Sequence, residues 1–196
     1  MKTIIHFFCF SLILTLVSCS QPTRNVIIDN SSSFDITVKF DQTEIIYIMA
    51  RSKVTVLLKF GKQQLYVNDD PPVDIYLDKD YDYVINPTFR NYYIENVVYT
   101  FSPKGGENYL KDYGQITSKV GQREVNGDYR LITPSLAMAK TWSYGLDDPI
   151  SGVVQTTSDA RRGYKFVKRL VRESDVEAMA MAEFYDQLSS DLKQAH

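Results

Sequence analysis

Phe34-Asp35-Ile36-Thr37-Val38-Lys39-Phe40 alternates apolar and polar residues without a break. Period two fits a strand with one buried face. It does not serve a helix, whose apolar positions recur every three or four residues. The pattern returns at Val54, Val56, Leu58 and Phe60, at Val73, Ile75 and Leu77, and at Tyr81, Tyr83 and Ile85. Residues 25–29, 45–49, 64–67 and 92–101 are apolar-rich stretches of strand length. Asn30-Ser31-Ser32-Ser33, Gly61-Lys62, Asn68-Asp69-Asp70-Pro71-Pro72 and Asn86-Pro87 separate them. Seven or eight short strands at this spacing predict an antiparallel β-sandwich over residues 25–101.

Beyond it the pattern changes. Residues 102–132 read as a loop region with a hairpin at Val125-Asn126-Gly127-Asp128-Tyr129, because Asn-Gly suits a type I′ turn. Thr133-Pro134 resembles a helix start, and a helix running to Ser143 would carry Trp142, read as a core or junction residue. From Asp159 to Arg172 a helical wheel gathers Arg161, Arg162, Lys165, Lys168, Arg169 and Arg172 on one arc. This basic arc is expected to be a solvated helix face, with headgroup contact or an acidic partner as alternatives. Ser174-Asp175-Val176-Glu177 matches a capping box. The helix after it is acidic, with Met181, Phe184, Tyr185, Leu188 and Leu192 on one side. The expected class is therefore mainly β with an α appendage, residues 133–196 forming a helical C-terminal extension.

The first residues set an address. Lys2 precedes a mostly apolar stretch from Ile4 to Val17, too short to cross a bilayer comfortably. It ends in Leu16-Val17-Ser18-Cys19, which resembles the lipobox of bacterial lipoproteins. The resemblance implies that residues 1–18 are a signal peptide and that Cys19 is acylated. Residues 19–24 would then tether the sandwich within about 18 Å of the bilayer. The expected location is the cell envelope, and the outer membrane, periplasmic side, if the source has two membranes. Residues 48–67 are similar to the small β-sandwich modules of envelope proteins known as PEGA-type.

Chemistry is constrained by what is scarce. The sequence has two histidines, His6 and the terminal His196, and two cysteines, Cys9 and Cys19. A signal cleaved before Cys19 removes His6 and Cys9. A Ser-His-Asp or Cys-His centre needs an internal imidazole, and zinc sites are usually built from His and Cys. Ser190 and Lys193 form a Ser-x-x-Lys pair at the chain end, a poor place for a preorganised nucleophile. Twenty-two Lys and Arg against 24 Asp and Glu give a net charge of −2, which argues against a dedicated nucleic-acid binder. Asp78, Asp80 and Asp82 alternate as in a calcium loop, but Tyr83 stands where glycine is needed and Phe89 where a bidentate Glu is needed. The expectation is a protein without enzymatic activity or cofactor, held at the membrane by its lipid and serving an envelope protein partner. Glycan binding through those of the 14 tyrosines that are exposed is one alternative. A carboxylate-based glycan or peptidoglycan hydrolase is the other.

Overall fold

A computed structural model describes residues 22–41, 43–151 and 163–194. The chain opens with eight strands: β1 (Thr23–Asn30), β2 (Ile36–Phe40), β3 (Ile46–Ile48), β4 (Ser52–Lys59), β5 (Gly61–Val67), β6 (Val73–Leu77), β7 (Tyr83–Ile85) and β8 (Tyr92–Thr100). All eight were expected, within one to three residues at their ends. Helix α1 (Pro103–Tyr113) follows, then β9 (Thr117–Val120), β10 (Arg123–Asn126), β11 (Tyr129–Ile132), β12 (Ala137–Ala139), β13 (Tyr164–Arg172) and helix α2 (Glu173–Gln194). The fold is mainly β with a C-terminal helix.

The strands build three stacked sheets. An outer sheet runs β3-β2-β5-β6, a central sheet β12-β7-β1-β4 and a third sheet β11-β8-β13. Outer and central sheets share one core: Ile36, Val38, Phe40, Ile48, Leu65, Ile75 and Leu77 meet Val26, Ile28, Leu58 and Ile85. The other face of the central sheet carries Ile27, Val84 and Met138, which pack on Tyr92, Ile94 and Leu170 of the third sheet. Neighbours in β7, Val84 and Ile85, thus enter different cores. Strands covered on both faces are apolar at consecutive positions, and the central pair β1–β7 is also the parallel one. The far side of the third sheet presents Tyr93 and Val171 to the β9–β10 hairpin and to Val176 of α2.

Four expectations of secondary structure between residues 102 and 172 are corrected. Residues 103–113 form a helix, capped by Ser102 Oγ accepting from Gly105 N–H, with Pro103 at its start. No helix occupies 134–143; β12 pairs with β7 there, and Trp142 is buried between the central and third sheets. The β9–β10 turn lies at Gly121-Gln122, and Asn126-Gly127-Asp128 links β10 to β11 instead of closing a hairpin. The segment 164–172 is a strand paired along its whole length with β8. Tyr164, Val167, Leu170, Val171 and Arg172 are all buried. A strand buried on both faces loses period two, and its apolar spacing then also satisfies a helical wheel.

Candidate functional site at the start of the C-terminal helix

Strand β13 passes into α2 with no turn between Arg172 and Glu173. The capping box is therefore not the helix start, and Ser174 lies inside the first turn. Arg172 is the last strand residue, and its side chain is 3% exposed. Nε donates to Asp29 Oδ2 at 2.9 Å, and Nη2 to Asp29 Oδ1 at 2.6 Å and Asp147 Oδ2 at 3.0 Å. Nη1 donates to Asp147 Oδ1 at 2.8 Å and Asp175 Oδ2 at 3.0 Å. All five guanidinium N–H groups thus find carboxylate oxygens, two acids being held bidentately. Tyr92 O–H donates to Asp29 Oδ2 at 2.6 Å. Burial, together with the charge of Asp29, pushes the Tyr92 hydroxyl well above its ordinary range. The Arg172 hydrogen bonds hold Asp147 below the usual carboxylate value. Lys53 approaches Asp147 at 3.7 Å and Asp148 at 3.8 Å.

The next residue faces a groove. Glu173 Oε2 accepts from Asn91 Nδ2 at 2.7 Å and from Tyr93 O–H at 3.3 Å. Tyr93 Oη in turn accepts from Gly121 N–H at 3.1 Å. Burial raises the Tyr93 hydroxyl. Glu177 stands one helical turn on. A Cβ on Gly121, at φ +57°, would lie 2.6 Å from Glu177 Oε1 and 3.3 Å from Glu173 Oε1. The hairpin turn favours glycine for its left-handed backbone, while the two glutamate ends could swing aside from a side chain there. The hollow in front measures about 310 Å³, walled by Ser31, Ser33, Arg51, Arg90, Glu173 and Glu177. A second hollow of about 530 Å³ continues from Arg51 and the two glutamates toward Arg123 and Met181. The groove mixes three arginines with two carboxylates, a chemistry suited to the charged side chains of a polypeptide.

The residues expected to act lie elsewhere or apart. Cys19, Arg161 and Arg162 fall outside the described residues. Lys165, Lys168, Arg169 and Arg172 stand on β13, where strand alternation sends Lys165 and Arg169 to one face and Lys168 and Arg172 to the other, so they form no common basic face. Arg169 Nε is bound to Glu95 Oε2 at 2.6 Å, and Arg172 is buried. Asp78 Oδ1 accepts the Asp80 N–H at 3.0 Å, while Asp82 pairs with Arg24 at 2.9 Å. Among the described residues no group of three or more His, Cys, Asp or Glu side chains is placed to hold a metal ion. Asp29 and Asp147 were missed. The signal was Asp29 itself, a carboxylate in the apolar run Val26-Ile27-Ile28, which demands a buried partner. No family model, curated protein or solved structure matches the chain.

Proposed function

We propose that the chain is a lipid-anchored envelope protein acting as a non-catalytic interaction subunit, with α2 as its contact element. One observation carries the reading. Val176 and Ala180 seat the first turns of α2 on the body, while residues 182–190 are exposed on every side. Phe184, Tyr185 and Leu188 stand 59%, 58% and 44% exposed along that stretch. About two and a half turns of helix carrying aromatic side chains in water are marginal unless something covers them. The acids Glu183 and Asp186 disfavour an anionic membrane as the cover.

An acylated Cys19 would tether the fold through the start of β1. Thr23 and Asn30 are the two ends of β1, about 24 Å apart. A tether entering at Thr23 leaves the Arg172 cluster and the start of α2 at the opposite end, by Asp29 and Asn30. Crosslinking in intact envelopes, with and without Cys19→Ala, tests the reading. An envelope protein captured through α2 is expected, and capture of none in either form would refute it.

A second reading, glycan binding, has support of its own. Tyr47, Tyr66 and Tyr76 alternate with the core residues of β3, β5 and β6, so all three occupy the outward face of the outer sheet. Tyr47 is hydrogen-bonded to Asp35, and Tyr66 O–H donates to Gln64 at 3.0 Å. Retention of the full-length chain on purified peptidoglycan, lost in Tyr47→Ser/Tyr76→Ser, would favour it.

A further inference from the structure

Strand β4 ends the central sheet, paired with β1 on one side alone. Phe60 N–H donates to Pro22 O at 3.3 Å, which makes Pro22–Phe60 and every second pair after it the bonded ones. Lys53, Thr55, Leu57 and Lys59 therefore turn their N–H and C=O groups outward. The Lys59 carbonyl is taken by Gln63 Nε2. The outward backbone N–H and C=O groups of Lys53, Thr55 and Leu57 find no partner among the described residues. An eight-residue edge strand with an open ladder is a template for another strand.

Two features beside it define what would pair there. A cavity of about 660 Å³ opens along its end, walled by Leu57 and Tyr66 together with the polar Thr23, Asp41, Lys59 and Gln64. Leu57, exposed at its rim, gives the edge an apolar contact for alternate side chains of an added strand. Arg51 and Lys59, both exposed, stand at the two ends of the edge. Neither makes an ion pair with a described residue. In a symmetric pairing of two copies about Thr55, Lys59 would oppose Arg51 of the other copy, and like charges directly opposite are unfavourable.

We propose that β4 is a strand-addition site for an extended segment of another protein, apolar at its centre and acidic at its ends. This goes beyond the anchored-subunit reading and does not depend on α2 or on Cys19. The test uses the full-length chain in detergent micelles and two short synthetic peptides of alternating valine and threonine. One is closed at both ends by glutamates, the other by lysines. The glutamate peptide is expected to bind at least about tenfold more tightly, and to slow amide exchange at Thr55 and Leu57. Thr55→Pro removes one outward N–H at an edge position where proline is tolerated, and should weaken binding about tenfold with the circular dichroism spectrum retained. Arg51→Glu/Lys59→Glu should reverse the preference between the peptides. Failure of both peptides to bind, equal affinity for the two, protection away from β4, or self-association of the chain through β4 would each overturn the proposal.

Discussion

Arg172 and Asp29 lie 143 positions apart in the chain and meet fork against carboxylate with both side chains out of water. The contact joins the first strand of the fold to the last, across the central and third sheets. Desolvating such a pair is costly, and breaking it is costlier still, because the remaining charge stays buried. Arg172→Met is expected to destabilise the chain by about 3–5 kcal/mol in urea denaturation. Adding Asp29→Asn to it should recover part of the loss, since Asn still accepts from Tyr92 without leaving a bare charge. A double variant as unstable as Arg172→Met alone would show that packing, not charge, holds the junction.

The same cluster sets an acid limit. Arg172 depresses the folded-state pKa of Asp147 below its unfolded value. The contribution to stability is thus full above the unfolded value and is lost as pH falls through the folded one. The denaturation midpoint should stay level down to about pH 5 and drop below about pH 4, and Asp147→Asn should shallow that drop. At the alkaline end the sign reverses. Burial and the nearby Glu95 charge push Tyr129 up to about 12. Its neutral form is favoured by the fold, so stability falls as pH rises above about 10. Tyrosinate absorbance should show Tyr129 titrating late, and Tyr129→Phe should lessen the alkaline loss.

Adjacent glycines of α1 predict opposite outcomes. A Cβ on Gly105 would lie 1.9 Å from the backbone oxygen of Gly163, and backbone cannot step aside cheaply. Gly105→Ala should cost at least about 2 kcal/mol and unseat α1 from β13. On Gly106 a Cβ meets Thr100 Cγ2 at 3.9 Å, an ordinary contact. Gly106→Ala should stabilise by about 0.5–1 kcal/mol through helix propensity. Thermal melts of the two variants check both signs.

The eight strands before residue 101 were legible because turn formers punctuate them and several keep one face polar. What followed was obscured for separate physical reasons. Gly105 and Gly106 argue against a helix by propensity, and the close approach to Gly163 that calls for a glycine at 105 is a tertiary fact. In β13 the residues Val167, Leu170, Val171 and Arg172 are buried on both faces, so alternation vanished and a helical spacing was left. Arg172 looked like one of a solvated row because its three carboxylates come from β1, the 145–148 loop and α2. The groove at Glu173 draws on five separate segments, and no local motif records such convergence.

The exposed stretch of α2 separates fold from contact. Phe184, Tyr185 and Leu188 touch water over about half of their surface or more. Replacing all three by Gln keeps good helix formers in place and removes only apolar surface. Stability should change by no more than about 0.5 kcal/mol for each site, since exposed positions lack the contacts that make substitutions costly. Crosslinking to an envelope partner should be lost in the same variant while Val176→Ala, a core change, lowers the melting temperature. A triple variant that unfolds would place this face against the body of the protein. One that folds and still crosslinks as before would remove α2 from the interface.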